Sequence, residues 1–295
     1  MLFKGVCTAL VTPMTENGIN YDKLEELINW QIEEGVDAIL LSGTTGEAPT
    51  ITDEEKMEMF KKGVEIVNKR VPFIAGTGTN NTTHIIRLCE YASLAGADGF
   101  LINNPYYNKS SDEGIIANYE AISATVDKPI IVYNVPSRTG KNIDIGLALE
   151  LCKIKHIEAF KEASGNISQI AALMARKPEH VVVYSGNDDQ ILPIMALGGM
   201  GVICTCSNIA PKLICDITDA YFAGDIELCR QKQFAMLDLF DAMFIESNPI
   251  PLKTAMNMVG MNVGPMRLPL VPLSGTKKEK VAKVLEQYGY ELREA

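Results

Sequence analysis

The reading of this chain turns on the stretch Ile157-Glu158-Ala159-Phe160-Lys161-Glu162-Ala163-Ser164-Gly165-Asn166. It begins as a short apolar run and ends in a small, polar, glycine-containing loop. Read as a strand, its period-2 alternation puts Ile157, Ala159 and Lys161 on one face. If that face looks into a protein interior, the lysine is partly desolvated. Burial disfavours a charged ammonium, and a neutral amine is a nucleophile that forms Schiff bases with carbonyl substrates. The ordinary alternative is a surface lysine just past a strand end, because lysine is rarely buried. The rest of the chain decides between the two.

Working outward, seven more β-rich runs surround this one: Val6–Val11, Ala38–Leu41, Phe73–Ala75, Gly99–Ile102, Ile130–Tyr133, Val181–Tyr184 and Gly201–Thr205. Between the runs lie amphipathic stretches near 21–34, 53–69, 81–95, 112–125, 144–153, 167–176, 188–197 and 211–223. Alternation of this kind predicts parallel strands joined by helical crossovers. Eight units point to an α/β fold of the closed TIM (β/α)8 barrel type, with a doubly wound sheet as its competitor. Thr52-Asp53-Glu54-Glu55 has capping-box spacing, and Asn80 or Asn81 and Asp144 stand where helix caps are needed.

The barrel is expected over 1–224 and a C-terminal helical extension over 225–295. One helix over Asp225–Phe244 gathers Ile226, Cys229, Gln233, Met236, Phe240 and Phe244 near one face. Asn248-Pro249-Ile250-Pro251 breaks it, Leu252–Val259 resumes it, and a last helix fits Lys277–Tyr288.

Composition narrows the class. The 295 residues are 47% hydrophobic and 22% charged, as in ordinary globular proteins with room for a large core. A net charge of −10 without a basic run argues against nucleic-acid binding and against binding to an anionic membrane. No apolar stretch reaches the roughly 20 residues that span a bilayer, and the chain enters its first strand too soon for a signal peptide. Seven scattered cysteines without a Cys-x-x-Cys pair fit a reduced, cytoplasmic protein with buried thiols. Cys204 and Cys206 read as core strand residues. His84, His156 and His180 lack metal-site spacing, and neither a metal nor a cofactor is expected.

In such a barrel the chemistry sits at the C-terminal ends of the strands. Ser42-Gly43-Thr44-Thr45-Gly46-Glu47 follows the second strand, and its consecutive N–H groups suit a carboxylate. It lacks P-loop spacing, and Gly76-Thr77-Gly78 lacks the third glycine of a dinucleotide fingerprint. Asn103-Asn104-Pro105-Tyr106-Tyr107-Asn108 follows the fourth strand, and Tyr133-Asn134-Val135-Pro136-Ser137-Arg138-Thr139-Gly140 the fifth. Tyr133 shares the inward face with Ile131. Arg138, in a loop stiffened by proline, offers a guanidinium fork that matches a carboxylate. Asp188 and Asp189, after Ser185-Gly186-Asn187, are expected to cap the next helix, and their charge opposes a phosphate cup there. Together these residues suit a 2-oxo acid: Lys161 attacks the carbonyl, Thr44 and Thr45 hold the carboxylate, and Tyr133 moves protons. A tyrosine needs a hydrogen-bonded chain to do so near neutrality, which Thr44 and Tyr107 can supply. A barrel reduced to mere binding predicts loss of Lys161, Tyr133, Thr44 or Arg138, and all four are present.

The motifs Gly43–Glu47, Tyr133–Gly140 and Lys161–Asn166, with Asn248–Pro251 and Arg267-Leu268-Pro269, resemble those of the dihydrodipicolinate synthase family over nearly the whole chain. The resemblance implies a TIM barrel that condenses pyruvate with L-aspartate 4-semialdehyde on the diaminopimelate route to lysine. It makes Lys161 the Schiff-base lysine. Thr44, Tyr133 and Tyr107 become the proton relay, with Tyr107 reaching in from a neighbouring subunit. Thr45 takes the pyruvate carboxylate and Arg138 the semialdehyde carboxylate, while Gly186 and Ile203 line the pocket through main-chain groups. Members of the family are usually homotetramers, built as dimers of dimers, though some are dimers, so the resemblance implies an oligomer of this kind. The nearest rivals are sister lyases such as N-acetylneuraminate lyase and 2-keto-3-deoxy sugar acid aldolases. The sialic acid lyases typically lack an arginine at the Arg138 position. Some family members are inhibited by lysine between subunits. Asn80 and Tyr106 match that pattern, whereas Asp53, Lys56 and His84 depart from it. Weak or absent inhibition is therefore expected.

Overall fold

Eight parallel strands close on themselves: β1 (Gly5–Ala9), β2 (Ala38–Leu41), β3 (Phe73–Gly76), β4 (Gly99–Asn103), β5 (Ile130–Asn134), β6 (Ile157–Glu162), β7 (Val182–Ser185) and β8 (Gly201–Cys204). Closure is made by β1, which pairs with β8 through Cys7 and Ile203 and with β2 through Cys7 and Ala38. The structure is a computed structural model that describes residues 1–293; Glu294 and Ala295, at the end of the expected extension, lie outside the described residues. The barrel is the predicted one, and the doubly wound competitor is ruled out by its closure.

Both faces of each strand are buried, which is why the strands read as apolar runs. In β2, Ala38 and Leu40 point into the barrel, whereas Ile39 and Leu41 meet the surrounding helices. Those helices are α1 (Tyr21–Glu33), α2 (Asp53–Val67), α3 (Thr82–Ala95), α4 (Asp112–Ser123), α5 (Ile145–Leu151), α6 (Ile167–Met174), α7 (Ile191–Ala196) and α8 (Pro211–Phe222). Thr52 and Glu55 form the expected capping box at α2, Asn81 caps α3 and Asp144 caps α5. Each such cap is worth about 1 kcal/mol.

One end of the barrel is plugged. The Phe3 and Tyr184 rings stack at 4.1 Å and 8°, and the Tyr184 hydroxyl donates to the Phe3 carbonyl at 2.7 Å.

The alternation predicted for β6 needs one correction. Against β5, Ile130 faces Ile157 but Ile131 faces Ala159, so Glu158 is an extra residue on β6. Such a bulge reverses the side-chain sense on one side of it. Ile157 consequently joins the outer core, while Ala159 stays inside. The Lys161 end of the strand resumes regular pairing, with Lys161 between Tyr133 and Tyr184.

After the barrel come α9 (Ile226–Ala235), α10 (Leu237–Met243), α11 (Ile250–Met258) and α12 (Gly275–Gln287). The single helix expected over 225–244 is broken at Met236. Cys229, Gln233, Met236 and Phe240 are buried as predicted, but Ile226 and Phe244, near the two ends of the stretch, are exposed. Buried Gln233 fixes α9 against the segment after β7, donating to the carbonyls of Asp188 and Asp189. Helix α11 starts earlier than expected, because Pro251 occupies its first turn, where a missing N–H costs nothing. Cys206 lies beyond β8 in a one-turn helix, buried like Cys204. Among the described residues, no helix is long and apolar enough to cross a membrane.

Candidate active site

The open end of the barrel holds a cavity of about 170 Å³ whose wall includes Thr44, Thr45, Tyr133, Arg138, Lys161 and Gly186. They come from four separate strand ends. The cavity therefore exists only because the strand ends converge.

Lys161 projects from the end of β6 and is 5% exposed, so it is an interior side chain and not a surface lysine. Its Nζ stands 4.4 Å from the centroid of the Tyr133 ring. Neighbouring register explains this pairing, since Tyr133 on β5 lies directly beside Lys161 on β6. On the far side, Gly186 lets the end of β7 come close. A Cβ there would sit 3.0 Å from Lys161 Cγ and 2.9 Å from Ala163 Cβ. The next residue, Glu162, points away from the barrel axis and accepts from Asn134 Nδ2 and Ser164 Oγ, each at 2.7 Å. Burial raises its carboxyl above the ordinary range.

The turn after β2 is tight. Gly46 N donates to Gly43 O and Glu47 N to Thr44 O, both at 3.1 Å. The backbone N–H groups of Thr44 and Thr45 are absent from that pairing among the described residues, which leaves two adjacent donors beside the cavity. Thr45 is buried, and its Oγ1 accepts from Asn248 Nδ2 at 2.9 Å. Gly76 permits this turn to lie against β3: a Cβ on it would be 2.2 Å from the Ser42 carbonyl oxygen.

Arg138 sits in a one-turn helix over Pro136–Thr139. It is exposed at the mouth, and its Nη2 donates to the Asn248 carbonyl at 3.0 Å. Asn248 thus links both candidate carboxylate-binding positions, and its own Oδ1 is buried without a partner. In the sequence, Asn248 is only part of a helix-breaking motif. Its place in the cavity wall had no local signal.

Tyr107 is 93% exposed with a left-handed backbone (φ 70°), outside the cavity of its own chain. Ile203 is fully buried in the barrel interior and forms no part of the cavity wall. Asp188 does not cap a helix. Its carboxylate accepts from Thr205 N at 3.2 Å and from Cys206 N at 2.7 Å, fixing the segment after β8. Asp189 likewise makes no side-chain cap.

A larger cavity of about 390 Å³ adjoins the first and shares Thr44, Tyr133 and Arg138 with it. Asp53, Lys56, Asn80, His84 and Tyr106 also line it. His84 Nε2 lies 2.8 Å from Asp53 Oδ1. Lys56 is buried, and burial lowers its pKa while Asp53 opposes that shift.

The chain is similar to known proteins over nearly its whole length. Residues 2–288 match the model of the dihydrodipicolinate synthetase family. The chain is 51% identical over 295 residues to a 4-hydroxy-tetrahydrodipicolinate synthase of Thermoanaerobacter sp. (strain X514), covering 100% of this chain and 99% of that one. It is 48% identical to the protein of the same name from Clostridium novyi (strain NT), again over 100% and 99%. The crystal structure of dihydrodipicolinate synthase from Aquifex aeolicus superposes with a TM-score of 0.96 at 39% identity, covering 99% of this chain and 100% of that one. The Thermotoga maritima structure gives 0.95 at 38%, over 98% and 99%. With the family model matched from residue 2 to residue 288 and relatives at about half identity over the full length, the chain belongs to the dihydrodipicolinate synthetase family.

Proposed function

We propose that this chain condenses pyruvate with L-aspartate 4-semialdehyde through a Schiff base on Lys161, releasing 4-hydroxy-tetrahydrodipicolinate for lysine biosynthesis by the diaminopimelate route. The observation that carries the reading is the burial of Lys161 in a cavity that also holds Thr44, Tyr133 and Arg138. The names of its relatives agree with it.

The chemistry follows from the positions. Pyruvate lies with its carboxylate on the Thr44 and Thr45 N–H groups and its carbonyl carbon toward Lys161. Nζ adds to that carbon, water leaves, and an imine forms. Loss of a methyl proton gives the enamine, whose carbon attacks the aldehyde of the second substrate to form the carbon–carbon bond. The amine of that substrate then displaces Nζ from the imine carbon, which closes the ring and frees Lys161. The net reaction joins the two substrates with loss of one water. Tyr133, against Lys161, carries the protons, relayed by Thr44 and by Tyr107. Thr45 holds the pyruvate carboxylate and Arg138 the carboxylate of the semialdehyde. Gly186 shapes the site through its main chain, whereas Ile203 supports it from the barrel interior below the cavity.

Tyr107 takes part only if it enters the cavity of another subunit. Its 93% exposure in the isolated chain is in keeping with that, and we take the working assembly to be a homotetramer, a dimer of dimers. We divide the chain into a catalytic barrel, 1–224, and a helical extension, 225–295. Seven buried, unpaired thiols favour the cytoplasm.

The test is condensation of pyruvate with L-aspartate 4-semialdehyde, with borohydride trapping of pyruvate alongside. The wild type should turn over and trap pyruvate on Lys161, and Lys161→Ala should do neither. Trapping without condensation would reassign the chain to a sister lyase.

A further inference from the structure

The turn that carries Thr44 and Thr45 is bracketed by two non-glycine residues in the left-handed region, Ser42 (φ 59°) and Glu47 (φ 58°). A glutamate there is strained. Its side chain is also fully buried, a second cost, because a carboxylate leaves water. Two penalties at one residue of a substrate-binding turn need something that over-determines its position.

That something comes from the C-terminal helices. Lys253, on α11, is 0% exposed. Its Nζ donates to Glu47 Oε1 at 2.7 Å, to Thr12 O at 3.0 Å and to Pro265 O at 2.7 Å. An ammonium has three N–H groups, and each one is used. The other carboxylate oxygen, Oε2, accepts from Arg267 N at 3.0 Å. Thr12 closes the circuit, since its Oγ1 donates to Gly46 O at 2.7 Å. Glu47 is thereby tied to Lys253 directly and Gly46 to it through Thr12, and Glu47 N in turn holds Thr44 O.

Stability alone is a poor reason for such a pair. Apolar residues of similar volume usually fill a buried site at no greater cost than two desolvated charges. What an ion pair supplies here is a fixed distance between the extension and the turn. Lys253 lies outside the cavity wall, so it does not touch substrate.

We propose that Lys253 is a positioning residue of this enzyme: through Glu47 it holds the Thr44–Thr45 N–H groups at the pyruvate carboxylate. The inference rests on the function proposed above. A shift of about 1 Å in such a group costs on the order of 10²-fold, so the effect is large enough to read.

The experiment measures borohydride trapping of pyruvate on Lys161 against pyruvate concentration, with steady-state kinetics for both substrates and the melting temperature. Three variants are compared with wild type: Lys253→Met, the double variant Lys253→Met/Glu47→Gln, and Glu47→Asp. The double variant leaves no buried charge unpaired. Glu47→Asp keeps the charge but shortens its reach by one methylene. The expected result is a rise of about tenfold or more in half-saturating pyruvate in the folded variants, with KM for the semialdehyde changing much less. A lower melting temperature with wild-type half-saturation for pyruvate would overturn the inference, because the pair would then be merely structural. Failure of the wild type to trap pyruvate would overturn the proposed function, and this inference with it.

Discussion

The Lys161 ammonium nitrogen stands 4.4 Å from the centre of the Tyr133 ring. An aromatic face attracts a cation, so the ring and the hydroxyl of Tyr133 offer the lysine two different interactions. Ring and hydroxyl are separable by substitution. Tyr133→Phe keeps the face and removes the hydroxyl. Trapping of pyruvate should persist, and kcat should fall by about 10²- to 10⁴-fold. Wild-type kcat in this variant would take Tyr133 out of the relay.

Arg138 donates to the Asn248 carbonyl at the mouth, and its proposed partner is the carboxylate of the semialdehyde. Hydrogen bonds to a charged group are worth about 1.5–3 kcal/mol. Arg138→Ala should raise KM for the semialdehyde about 10- to 100-fold and leave pyruvate trapping near wild type. A matching loss of trapping would show that Arg138 serves the first substrate instead.

The wider cavity beside the site contains Lys56, buried, and an Asp53 already paired with His84. A cationic amino acid entering there meets like charge and finds its carboxylate partner engaged. Lysine should therefore inhibit weakly. The check is activity across a lysine titration, and loss of half the activity at sub-millimolar lysine would contradict it.

Arg267 clamps Glu55 with both of its terminal nitrogens, at 2.6 and 2.5 Å. These hydrogen bonds hold the Glu55 carboxyl below its ordinary value of 4.5. A depressed carboxylate pKa contributes stability that is present above the unfolded value and is lost as pH falls through the folded one. The pair is partly exposed, so its contribution is about 1 kcal/mol or less. Glu55→Gln should lower the melting temperature by at most about 2–4 °C at neutral pH. The gap should narrow as the pH is taken below 4.5. A gap that stays constant with pH would assign the effect to packing.

The barrel was legible because its strands and helices repeat with different periods, and the eight strand ends pointed at once to Lys161, Thr44, Tyr133 and Arg138. What escaped reading was non-local. The bulge at Glu158 is defined only by the strand beside it. Asp188 looked like a helix cap because its partners, Thr205 and Cys206, lie on the next strand's loop. Asn248 read as a helix breaker, although its amide reaches Thr45 from 203 residues away. Lys253 carried no signal at all, since nothing in its own helix hints at Glu47, 206 residues earlier. Local patterns report faces and ends of elements; they are silent about which distant ends meet.

The stacked rings of Phe3 and Tyr184 have a kinetic consequence. The barrel interior is packed with side chains and closed at their end, so the site is reached from the strand-end side. Lys161 is deep in that site and Arg138 stands at its lip, so occupants queue. The molecule bound to the lysine must come in first, because a guest on the arginine would bar its path. On the roles proposed above, pyruvate should therefore add before the semialdehyde, and an excess of the semialdehyde should slow turnover.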